Sequence, residues 1–78
     1  MSEFKINLSS INDVKAFSTA ANLVDCDIDV LSGRYLVDAK SIMGLFSLNL
    51  AHPLTVQVHG EPASAEEFRN AIAHLVGV

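Results

Sequence analysis

CDIDVLSGRYLVD, residues Cys26 to Asp38, is the stretch that decides the fold. From Cys26 to Leu31 the chain alternates, with Cys26, Ile28 and Val30 on one face and Asp25, Asp27 and Asp29 on the other. That is the period of a strand with one dry and one wet side. Ser32-Gly33 is a two-residue turn of the kind that closes a hairpin, and Arg34 to Asp38 returns as the next strand.

Working outward, Phe4 to Leu8 repeats the alternation, with Phe4, Ile6 and Leu8 opposite Lys5 and Asn7. Ser10 then begins a helix, and Asp13 stands three residues on as a weaker version of the capping-box acid, with a charge suited to the positive helix end. Val14, Phe17, Ala21 and Val24 form its apolar stripe. Beyond the hairpin a short helix starts at Ser41, Pro53 stops helical continuation, and Leu54 to His59 makes a fourth strand with Leu54, Val56 and Val58 inward. The final helix is expected from Ser64, where Ser64-Ala65-Glu66-Glu67 has the form of a capping box. Phe68, Ala71, Ile72 and Leu75 follow at helical spacing. The order is β-α-β-β-α-β-α, an α+β two-layer open-faced sandwich of four strands with helices on one face.

A chain of 78 residues, half of them apolar, is enough for one core, so residues 1–78 read as a single domain. The lone Cys26 has no partner for an internal disulfide, and in the absence of a secretory or transit signal the expected location is cytoplasmic. No apolar run has the roughly 20 residues of a membrane span. The net charge of −4, with Lys5, Lys15, Arg34, Lys40 and Arg69 scattered, argues against nucleic acid.

KSIMGLFSLNL, Lys40 to Leu50, carries the functional signal. Ser41 is placed as an N-cap, its oxygen accepting from the amide of Met43 or Gly44. Gly44 removes one side chain from the turn, and so short a helix cannot bury Ile42, Met43, Leu45 and Phe46 together.

The longer stretch VDAKSIMGLFSLNLAHPLTVQVHG, Val37 to Gly60, resembles the middle of the histidine-containing phosphocarrier protein (HPr) family of the bacterial sugar phosphotransferase system. The resemblance implies an antiparallel sheet, regulatory phosphorylation at Ser41, and a partner-binding patch at Ile42, Met43 and Phe46, with Met43 and Phe46 at least partly exposed. A phosphate on Ser41 would suit the helix dipole, and Lys40 beside it is placed to neutralise part of the charge. The family's defining activity needs a histidine at the start of the first helix, usually with an arginine two residues later. Here that region reads Leu8-Ser9-Ser10-Ile11-Asn12-Asp13-Val14, and no histidine precedes His52. The catabolite-repression variant of HPr likewise lacks the histidine, keeps the serine and acts as a corepressor.

The remaining candidates have plainer readings. His52, His59 and His74 read as surface histidines. Asp25, Asp27 and Asp29 open like a calcium loop, but Val30 stands where the sixth-position glycine is required and Leu36 where the twelfth-position acid is required. Cys26 reads as a small core residue. No catalytic residue, metal site or cofactor is expected. The function expected is an HPr-like regulatory or interaction protein whose partner is a protein, a serine kinase or a transcription regulator, with no nucleic acid and no membrane. The alternatives are a phosphocarrier using an unorthodox site and a small-molecule or metal-binding domain on a borrowed fold.

Overall fold

The computed structural model describes residues 2–76. The elements are β1 (Ser2–Ile6), α1 (Ile11–Asn22), β2 (Asp27–Ser32), β3 (Tyr35–Asp38), α2 (Ile42–Phe46), β4 (Leu54–His59) and α3 (Pro62–Ala71), followed by a 3-10 turn at Ala73–Leu75. The order matches the one expected from the alternation of periods. The strands form one antiparallel sheet in the order β1-β4-β2-β3.

Register explains which side chains go inside. Phe4 pairs with Val56 and Ile6 with Leu54 across β1 and β4, while Ile28 pairs with Val58 and Val30 with Val56 across β2 and β4. These rows carry the apolar face, and Ile6, Ile28, Val30, Leu54, Val56 and Val58 are buried in one cluster with Val14, Phe17, Phe68 and Ile72 of the helices. The rings of Phe17 and Phe68 meet edge-on at 5.5 Å between centroids. Phe4 leans on Phe68 at 6.3 Å, and Arg69 covers the Phe4 ring at 5.8 Å. Such aromatic pairs add about 0.5–1.5 kcal/mol each beyond their buried area, and they tie α1 and α3 to the sheet.

Several element boundaries differ from expectation. β1 ends at Ile6, two residues earlier than the alternation suggests, because its partner β4 begins at Leu54, just past Pro53. Beyond that point the Asn7 N–H donates to the Leu75 carbonyl at 2.8 Å, and Leu8 is buried without belonging to the strand. The hairpin turn is Gly33-Arg34, since Ser32 pairs with Tyr35. Gly33 has φ of 61°, and among the described residues no residue other than glycine has positive φ, which is the turn pattern that needs glycine at its first central position. Along α1, Val14, Phe17 and Ala21 are buried as expected, while Val24 lies past the helix end and is half-buried.

α3 starts two residues before Ser64: Glu61 is the cap residue without a side-chain cap bond, and Pro62 occupies the first turn. Proline is pre-organised for that position and loses no hydrogen bond there, so it sets the start ahead of the Ser64 box. The buried stripe is Ala65, Phe68, Ile72 and Leu75, and Ala71 is exposed. The helix ends at Ala71 and continues as the 3-10 turn that carries the buried Leu75.

Candidate functional site

Two helix starts carry the residues of interest. At α1, Ser10 is extended, with φ −149° and ψ 165°, and its Oγ accepts from the Asp13 N–H at 3.1 Å. Asp13 does not complete a reciprocal box with Ser10. Its Oδ2 reaches one residue further back and accepts from both the backbone N–H and the hydroxyl of Ser9, each at 2.9 Å. The Ser9 N–H is the main cause that holds the Asp13 carboxyl below its ordinary range, followed by the Ser9 hydroxyl; slight burial opposes the shift, and Ser10 and the charge of His74 add to it. A helix start is a natural seat for an anion. In this chain a carboxylate of its own takes that role and uses the Ser9 donors.

At α2, Ser41 is extended, with φ −97° and ψ 102°, and its Oγ accepts from the Gly44 N–H at 3.2 Å, one of the two amides expected. The hydroxyl side is exposed. Gly44 makes a close approach: a Cβ there would stand 3.3 Å from Ser41 Oγ and 3.3 Å from Val37 Cβ, a tight fit of α2 on β3 that a larger residue would enter only if these neighbours shift by a few tenths of an ångström. Leu45 is fully buried, Ile42 is half-buried, and Met43 and Phe46 are 76% and 42% exposed. One helix of five residues can turn only one side chain fully inward.

Lys40 differs from expectation. Its ammonium donates to the Val24 carbonyl at 3.0 Å, and its carbonyl accepts from the Asn22 side chain at 3.3 Å. The segment before Ser41 is thereby fastened to the end of α1, and the lysine charge is drawn toward the open carbonyls there instead of standing over Ser41.

A groove of about 600 Å³ runs between the start of α1 and the end of α2, lined by Leu8, Ser9, Ser10 and Ile11 on one side and by Phe46, Leu50 and Ala51 on the other. Ile11, 61% exposed, is a member of this surface that the sequence reading missed.

The three histidines lie apart from this groove's lining and are all exposed. His59 Nε2 lies 2.8 Å from Asp29 Oδ2 on the wet face, a pairing across β2 and β4 not foreseen from sequence. Asp25 and Asp27 are exposed, and among the described residues no group of three or more His, Cys, Asp or Glu is placed to hold a metal. Cys26 is half-buried against the core and packs beside Gly60. Among those residues, no helix is long and apolar enough to cross a membrane.

Comparison with known proteins fits this architecture. Residues 6–77 match the family model described as PTS HPr component phosphorylation site. Among solved structures, HPr-C-His from Thermoanaerobacter tengcongensis is 25% identical over 97% of this chain and 91% of its own, with a TM-score of 0.78. The phosphocarrier protein HPr from Bacillus anthracis is 24% identical, covers 95% of each chain and has a TM-score of 0.72. A mycoplasma histidine-containing phosphocarrier protein shares the fold at 15% identity, with a TM-score of 0.73 over 94% of this chain and 89% of its own. No curated protein sequence matches the chain. With the family match spanning nearly the whole sequence and the same strand and helix order throughout, this chain belongs to the HPr family of the phosphotransferase system.

Proposed function

We propose that this chain is a single-domain, cytoplasmic regulatory or interaction protein of the phosphotransferase system that does not carry phosphate on a first-helix histidine. The observation that carries this reading is the start of α1. No histidine precedes His52, and Asp13 holds the Ser9 amide and hydroxyl at 2.9 Å each. A phosphoryl group at that seat would have to displace a carboxylate and then sit beside it, against like-charge repulsion.

The regulatory part of the reading rests on α2. Ser41 is exposed, caps the helix through the Gly44 amide, and lies next to the exposed Met43 and Phe46. A phosphate on Ser41 adds nearly two negative charges at the edge of an apolar patch. It would change which protein docks on Ile42, Met43 and Phe46 by electrostatics, with little change of fold. A serine kinase and a transcription regulator are the partners this arrangement suits. With Lys40 engaged by Val24, the added charge would stay largely uncompensated by the chain itself.

Incubation of the chain with the general phosphotransferase enzyme and labelled phosphoenolpyruvate tests the proposal. No acid-labile label is expected. Stoichiometric label on any histidine would establish the alternative, a phosphocarrier with an unorthodox site.

A further inference from the structure

On the side of the molecule where the β2–β3 turn faces the loop after α2, residues 32–35, 47–49 and 52–53 line an open hollow of about 840 Å³. Its charge is opposite to that of the chain as a whole. The protein has nine acidic residues against five basic ones, yet no carboxylate lines this hollow, whereas Arg34 and His52 both do. The ion pair found among the described residues joins His59 to Asp29, so the Arg34 guanidinium has no carboxylate partner there. A guanidinium offers five donors in a planar fork that matches phosphate oxygens.

The other polar liners are oriented by bonds within the fold. Asn49 Oδ1 accepts the Ala51 N–H at 3.1 Å, which leaves the two amide protons of Asn49 free to donate. The Ser47 hydroxyl donates to the Gly44 carbonyl at 2.6 Å, which leaves its oxygen lone pairs free to accept. Leu48 is buried among these liners, and the positive φ of Gly33 presents Arg34 at the second corner of the turn. The volume falls in the range of about 300–1,000 Å³ typical of small-molecule sites and exceeds what a bare phosphate ion fills.

We propose that this hollow binds a small phosphate monoester bearing hydroxyl groups. Arg34, helped by His52, takes the phosphate, and Ser47 and Asn49 take the hydroxyls. The site shares none of the residues of the partner-binding reading at Ile42, Met43 and Phe46 and stands or falls independently of it.

The test is amide NMR of the full chain titrated separately with ribose 5-phosphate, ribose and inorganic phosphate. Ribose 5-phosphate should give saturable shifts confined to residues 32–35 and 47–52 and should bind more tightly than either other probe. Arg34→Ala, a change at an exposed turn, should weaken binding about ten- to a hundred-fold, the usual loss of a charge-assisted contact, while the rest of the spectrum stays in place. Lys15→Ala, the same loss of charge on the exposed side of α1, should leave affinity unchanged. The proposal is overturned by an absence of saturable shifts, by shifts spread equally over Lys5, Lys15 and Lys40, or by Arg34→Ala binding as wild type. Equal affinity for ribose or for inorganic phosphate overturns it as well, because the site would then not read both halves of the ligand.

Discussion

Asp13 Oδ2 accepts two hydrogen bonds of 2.9 Å from Ser9, one from the backbone N–H and one from the hydroxyl. Those donors stand at the positive end of α1, and they hold the Asp13 carboxyl ionised below its ordinary range. A group with a depressed folded pKa contributes its full stability above its unfolded pKa and loses it as pH falls through the folded value. Asp13→Asn should therefore lower the melting temperature at neutral pH. The gap between variant and wild type should close in the acid region below the ordinary aspartate pKa, as the wild-type carboxyl protonates. Thermal melts from neutral to strongly acid pH would show this; a gap independent of pH would mean that the ionised form of Asp13 contributes nothing.

Ser41 caps α2 through the Gly44 amide at 3.2 Å. Ser41→Ala should cost about 0.5–2 kcal/mol, and Ser41→Asn, which keeps a capping oxygen, should recover most of it. Chemical denaturation measures both. Treatment of the wild type with the family's serine kinase, followed by mass spectrometry, should find one phosphate, on Ser41. An unmodified chain, or a phosphate elsewhere, removes the regulatory role and leaves a plain cap.

The sequence made these elements legible to different degrees. Strand β4 is read to the residue because Pro53 and Gly60 bracket a clean alternation. Ser10 and Ser41 are read correctly as caps because a short hydroxyl before an apolar run has one good use. Two of the misreadings have their cause in contacts distant along the chain. The end of β1 depends on where β4 begins, and the charge of Lys40 depends on Val24, sixteen positions away. The start of α3 and the β2–β3 turn are local matters: Pro62 opens α3 ahead of the Ser64 box, and the turn centres on Gly33-Arg34, one residue past Ser32-Gly33. At the candidate site, helix length shows that part of the α2 cluster stays exposed and the family resemblance points to Met43 and Phe46, whereas the groove shared by Ile11 and Phe46 needs the helices placed together in space.

Gly60 packs against Cys26 so closely that a Cβ there would lie 2.7 Å from Cys26 Cβ and 2.9 Å from its sulfur. Gly60→Ala should therefore destabilise by about 1–3 kcal/mol, the usual cost of overpacking. Adding Cys26→Ala should not restore the loss, because the nearer obstacle is the Cβ that alanine keeps. Denaturation of the single and double variants measures this, and full rescue by Cys26→Ala would show that the sulfur alone is the obstacle.

Met43 and Leu45 divide α2 between outside and inside, one 76% exposed and the other fully buried. A methionine held in water gains nothing from burial, yet its unbranched, polarisable side chain adapts to the shape of a docking protein. Met43→Lys should leave the melting temperature nearly unchanged, since surface substitutions of this kind usually lie within about 0.5 kcal/mol. Leu45→Ala should by contrast cost about 2–5 kcal/mol through the cavity it leaves. If Ile42, Met43 and Phe46 form the partner surface, Met43→Lys should also weaken capture of the partner from a native extract, while Leu36→Lys, on the opposite, wet face of the sheet, should not. Equal weakening by the two lysines would mean that added positive charge, and not the lost apolar contact, disturbs the partner. Unchanged capture by both would place the docking surface away from α2.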